Sequence, residues 1–152
     1  MARRRARDRM TVHLVKLCVG AESVEDLAGW VARRAERNAR EGRWGRVSEH
    51  VTRLFPRRTA ELLDGGSLYW VIKGVVLARQ ALVGFEPVTG ADGIARCAIL
   101  LKPEVVPVEA QPRRAFQGWR YLRPEDAPRD LKSGARGAPS ALRARLAELG
   151  LL

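Results

Sequence analysis

Lysine is scarce in this chain: of 28 basic residues, 24 are Arg and only Lys16, Lys73, Lys102 and Lys132 are Lys. Cysteine is scarcer still. Cys18 and Cys97 match neither a disulfide framework nor a zinc-ligand spacing, so a stapled secreted scaffold is excluded as a reading. No apolar run approaches the roughly 18 residues that would suggest a membrane span, and no membrane partner is expected. The N-terminal "MARRRARDRM" carries the charge of a signal-peptide head. The stretch behind it, "TVHLVKLCVG", contains His13 and Lys16 and has no small-residue cleavage site, which argues against secretion. A cytoplasmic protein is the expectation. There is no Lys-Ser/Thr after a glycine-rich loop, no dinucleotide fingerprint, no Gly-x-Ser-x-Gly elbow and no internal repeat.

What is present is positive charge, a net +11 over 152 residues. Its placement matters more than its total. Residues 1–10 hold five Arg and one Asp, and residues 132–152 hold four basic residues and one Glu. The span 11–131 keeps 19 basic and 15 acidic residues and is only mildly basic. The length suits one domain able to bury its own core. The expected organisation is a basic extension over residues 1–9, a single domain over 10–131, and a linker with an amphipathic helix over 132–152.

Thr11 to Val19 is β-branched and apolar apart from His13 and Lys16, which predicts a central opening strand. In "SVEDLAGWVARRAERNAREG", Ser23 is the N-cap, acids fill the first turn, arginines the last, and Gly42 stops a long helix. Val24, Leu27, Ala28, Val31 and Ala35 form its apolar stripe, so Arg33, Arg34, Arg37 and Arg40 read as a solvated face. "RVSEHVTRLF" alternates as a strand, with Ser48, His50 and Thr52 sharing one parity. Pro56 then opens a short helix that Gly65 and Gly66 close. Arg57 and Arg58 sit at its start, where the helix dipole opposes cations and an anion would be welcome. From Ser67 onward the pattern is β: a hairpin around Gly90 to Gly93, bends at Gly74 and Gly84, and edge pieces cut by Pro103 and Pro107. "RRAFQGWRYL" supplies a last strand, on which Trp119 and Tyr121 share one face and Arg120 and Leu122 the other.

Candidate chemistry is sparse. His13, Cys18, His50 and Cys97 lack a zinc pattern, and no metal or cofactor is expected. Ser48 beside His50 is the nearest approach to a nucleophile with its base, without an oxyanion loop to serve it. Glu125 and Asp126 read as a cap or turn. The set that remains is basic and aromatic: Arg57, Arg58, Lys73, Arg79, Arg113, Arg114 and Arg120 with Trp119 and Tyr121. Rings beside a basic groove are how single strands are held, each stacked base being worth roughly 1–3 kcal/mol.

The segments "TVHLVKLCVG", "GGSLYWVIKG" and "QPRRAFQGWRYLRPEDAPRDL" resemble an uncharacterised bacterial family of unknown function over about residues 10–131. That resemblance implies no activity, and it implies a family start near Met10. A short helix ended by glycine and followed by a curved sheet is also similar to the ASCH and PUA group of RNA-associated β-barrels. Those ASCH domains carry Gly-x-Lys-x-x-Glu-x-Arg. With the glycine on Gly66, Leu68, Val71 and Lys73 fall at the Lys, Glu and Arg positions.

The expected fold is therefore α+β: a curved mixed sheet or small PUA-like barrel, a long N-terminal helix packed on it, and a short C-terminal helix. The expected function is non-catalytic binding of RNA or single-stranded nucleic acid. Arg57, Arg58, Arg113, Arg114 and Arg120 would grip phosphates while Trp119 or Tyr121 stacks. Two other readings stand beside it: a small enzyme or binding domain for a nucleotide-like anion held by Lys73 and Arg79 in the barrel mouth, and an interaction module using the C-terminal helix.

Overall fold

The computed structural model describes residues 11–132 and 139–149. The basic extension and most of the linker lie outside the described residues. Strand β1 (His13–Leu17) leads into α1 (Val24–Glu41), β2 (Ser48–Thr52) and a four-residue α2 (Thr59–Leu62). Strands β3 (Ser67–Ile72), β4 (Val75–Thr89), β5 (Ala95–Leu101), β6 (Val106–Pro112) and β7 (Trp119–Leu122) follow. A 3-10 turn (Pro124–Asp126) and α3 (Ser140–Glu148) complete the order.

Helix α1 forms where its end signals place it. Ser23 Oγ accepts the Asp26 N–H at 3.0 Å, and Gly42, at φ 71, turns its N–H back to the Asn38 carbonyl. Val24, Leu27, Val31 and Ala35 are buried, and each fully buried Val or Leu contributes roughly 1.5–3 kcal/mol. Helix α2 differs from expectation. It starts at Thr59, and Pro56 stands outside it. The reason is tertiary: the backbone N–H groups of Arg57 and Arg58 both donate to the Tyr121 hydroxyl, at 3.0 and 3.2 Å, which holds the approach out of the helix. At Gly66 a Cβ would collide with the backbone oxygens of Leu62 and Val12, so only glycine lets α2 turn tightly into β3.

The seven strands form a mixed sheet in the order β2-β5-β4-β3-β1-β7, with β6 also paired to β4. Only β1 and β3 are parallel among these pairs, joined by the α1–β2–α2 crossover. The long β4 is central: β3 lines one edge, while β6 and then β5 line the other, with register shifts at Val76/Ala78 and Leu82/Gly84. Pro107 and Pro112 fall in β6, where the missing N–H is tolerated.

The sheet bends strongly. In a flat sheet β2 and β3 would stand about 14 Å apart, three strand spacings, yet the rings of His50 and Trp70 lie 5.1 Å centroid to centroid. The two ends of the sheet also meet. Trp119 on β7 donates its indole N–H to the Leu54 carbonyl just beyond β2 at 3.0 Å. No ladder joins β2 to β7, so the sheet is unclosed and its seam is made by side chains.

Strand alternation sorts two apolar layers. Leu14, Leu68, Trp70, Ile72 and Ile99 join Leu27 and Val31 of α1 in the larger, concave-side core. Val15, Tyr69, Val71, Val76, Val108 and Leu122 form a smaller core on the opposite face, with Phe116 and Ala127 against it. Helix α3 seats on this body. Ser140 Oγ accepts the Val24 N–H and donates to Glu25, the buried Arg143 donates to the Val108 carbonyl, and Ala144 and Ala147 meet the larger core. Leu142 and Leu149 of this helix are exposed. Small alanines permit the close approach that leucines would block.

Candidate functional site

The stretch from Arg113 to Leu122 divides at Gly118, which adopts φ 69. Its first half is loop, tied down by the Arg113 N–H on the Gly74 carbonyl at 2.8 Å. Its second half is β7, antiparallel to β1 with Trp119 opposite Lys16, Arg120 opposite Val15 and Tyr121 opposite Leu14. Trp119 and Tyr121 therefore turn to the concave side, where their rings meet edge-on at 5.0 Å. Both polar groups of these rings are engaged in the seam, Trp119 on Leu54 and Tyr121 on Arg57 and Arg58. They are structural members first.

The opposite face carries the basic surface. Phe116 is half-buried against the smaller core. The Arg113 and Arg120 guanidinium groups stand 5.6 and 5.3 Å from its ring centre. Such cation–π contacts give roughly 0.5–1 kcal/mol at exposed sites. A groove of about 460 Å³ runs here, lined by Pro112, Arg113, Arg114, Ala115, Phe116 and Arg120, without an acid. Among the described residues Arg113, Arg114 and Arg120 form no ion pair. A second groove of about 520 Å³ places Arg113 beside Tyr121, and there Arg123 is neutralised by Glu125 and Asp126.

The other residues singled out in the sequence are dispersed. Arg58 is held by Glu61 in a two-point contact and lies 5.2 Å over the Tyr121 ring. With Arg57 it belongs to the seam, and α2 is too short to offer an anion-binding end. Arg79 grips Asp130 through two bonds of 2.7 Å and also reaches Ser67. Lys73 occupies the β3–β4 turn at φ 51 and faces Glu22 at 3.3 Å, both exposed. Lys73 and Arg79, the anion contacts of the barrel-mouth reading, are thus each held by an acid. Ser48 is buried, with its hydroxyl accepting from Gln80 at 3.1 Å, so it is engaged in the core. The two histidines sit on opposite faces of the sheet, His13 beside Tyr69 and His50 beside Trp70. Among the described residues no group of three or more His, Cys, Asp or Glu is arranged to hold a metal.

A second cluster was missed in the sequence. Register puts Lys16 between Trp70 on one neighbouring strand and Trp119 on the other. Arg34 of α1 stacks over Trp30 at 4.2 Å and donates to the Glu49 carbonyl. Burial, reinforced by Lys16 and Arg34, lowers His50 to about 4, so its ring is neutral at pH 7. Burial likewise lowers Lys16 and raises Cys18 to about 11, which leaves no thiolate for nucleophilic chemistry. The polar interruption at Lys16 was the signal; its neighbours came from α1 and β2, which spacing alone cannot assemble.

Residues 14–152 match the family described as protein of unknown function (DUF1489), and the chain belongs to it. No curated protein and no solved structure matches. No helix among the described residues is long and apolar enough to cross a membrane.

Proposed function

We propose that this DUF1489 protein binds RNA or another single-stranded nucleic acid, without catalysis, on the face built by Arg113, Arg114, Phe116 and Arg120. The observation that carries this reading is the gathering of three arginines without acidic partners around one accessible ring. Arg forks suit phosphate oxygens, and a ring flanked by guanidinium groups offers a stacking platform to a base. Phe116 takes the stacking role that the sequence assigned to Trp119 or Tyr121, because those rings close the seam. The bent sheet with its side-chain seam supports reading the fold as a small open barrel of the PUA-like kind. The function does not rest on that likeness.

Fluorescence anisotropy of a labelled oligouridine tests the reading over a series of salt concentrations. Each phosphate contact contributes a slope of about −0.7 in log affinity against log salt for single strands. The R113A/R114A variant, with residues 1–9 retained, is expected to bind more weakly and to lose about 1.4 of that slope. Unchanged affinity and slope would overturn the assignment.

A further inference from the structure

The concave side of the sheet contains an arrangement that the nucleic-acid face does not use. Its floor is Trp70, 1% exposed, with its indole N–H fixed on Gln80 at 2.9 Å. Around that floor Lys16, Trp30, Arg34, His50 and Trp119 are half-buried. Trp30 and His50 both present edges to Trp70, at 6.4 and 5.1 Å between ring centres. The walls are therefore rings, set at angles to one another.

Cations outnumber carboxylates at this place. Lys16 and Arg34 lie close enough to act on both His50 and Cys18. Glu49 acts on His50 and Arg34 too, and its carboxylate is held by Arg37 and by Asn38 at 2.9 Å. Among the described residues Lys16 has no ion pair and no side-chain hydrogen bond. A half-buried ammonium between two tryptophans, with no acceptor of its own, is unfavourable. An anion would reverse that sign. A neutral His50 adds a polar ring nitrogen without adding a third charge.

We infer that the concave cluster of Lys16, Arg34 and His50 among Trp30, Trp70 and Trp119 is a binding site for a small anion that carries a flat ring. Lys16 is the anion contact, Arg34 supports it from the helix side, and the tryptophans enclose the ring. Nucleoside monophosphates and aromatic carboxylates share this chemistry. The inference stands apart from the nucleic-acid reading, since no residue is common to the two sites.

The test is calorimetric titration of the full chain with uridine monophosphate, benzoate, uridine and inorganic phosphate, read alongside the tryptophan indole N–H signals in NMR. At least one of the two ring-bearing anions is expected to bind saturably, more tightly than uridine and phosphate. It should shift Trp30, Trp70 and Trp119 while leaving Trp44 in place. Lys16→Met is expected to weaken that binding at least tenfold, Lys16→Arg to recover most of it, and R113A/R114A to leave it unchanged. Retained binding in Lys16→Met, shifts confined to Trp44, loss in R113A/R114A, or no binding of either anion at millimolar concentration would each overturn the inference. Because R113A/R114A reports on oligonucleotide and Lys16→Met on the small anion, failure of one reading is distinguishable from failure of the other.

Discussion

His13 and His50 each set an imidazole edge against an aromatic ring of β3, on opposite faces of the sheet and at the same 5.1 Å. Their surroundings differ. His13 Nδ1 accepts the Ser67 N–H at 3.0 Å, and the Arg79 beyond it is neutralised by Asp130. His50 has no side-chain hydrogen bond among the described residues, and the charges it faces are Lys16 and Arg34, with Glu49 opposing them only weakly. On one face the histidine has a hydrogen-bond partner; on the other, among the described residues, it has none. The same residue type in the same packing geometry is thus structural in one place and poised in the other. The deciding factor is whether a partner of opposite character lies within reach.

The largest test removes the floor of the poised face. Trp70→Ala is expected to cost about 4 kcal/mol in urea unfolding, as large aromatic truncations in cores do. A cost below about 1 kcal/mol would break the view that Trp70 anchors this side. Next is the pH dependence of stability. The unfolded chain takes up a proton on His50 near 6.5, whereas the folded ring does so only near 4. Between those values the unfolded state binds more protons, so stability present above pH 6.5 is lost as pH falls toward 4, by up to about 3 kcal/mol. His13 is lowered in the same direction, by burial and then by Arg79. His50→Gln should remove more of the acid sensitivity in this window than His13→Gln, measured as urea midpoints at pH 7 and 4.5. Equal effects would dissolve the contrast.

A smaller difference sharpens it further. His13→Phe leaves the Ser67 N–H without its acceptor and should cost about 1–2 kcal/mol. His50→Phe keeps the ring contact and abandons no partner, so thermal unfolding should place it within about 1 kcal/mol of the parent. Smallest is Arg113→Ala. Losing its contact with the Phe116 ring should cost no more than about 0.5–1 kcal/mol, so a larger loss of oligonucleotide affinity in that variant is a loss of contact and not of folding.

Much of the fold was legible because its signals are local. Ser23 and Gly42 bound α1, Gly90 to Gly93 turn a hairpin, and the parity of Trp119 to Leu122 gives their faces. Tertiary influence defeated the rest. The start of α2 is set by Tyr121, more than sixty residues away, and the docking face of α3 by Ser140 and Arg143, residues an amphipathic count would pass over. The site was legible by halves. Arg113 and Arg114 stood out because packing gave them no role, and they do gather with Arg120. The pairing of Arg79 with Asp130, and the meeting of Lys16 with Arg34 and His50, depend on how strands distant in sequence align. No spacing rule reaches that far.

The seam between β7 and the exit of β2 has one more consequence. Outer strands of an open sheet normally advertise unpaired backbone groups to other molecules, and that invites polymerisation. Here the Leu54 carbonyl and the Arg57 and Arg58 amides are already taken by Trp119 and Tyr121. An invading strand would have to evict both rings before it could add there. The two aromatics that first suggested a recognition surface thus occupy the backbone groups where the two ends of an open sheet meet, without closing it.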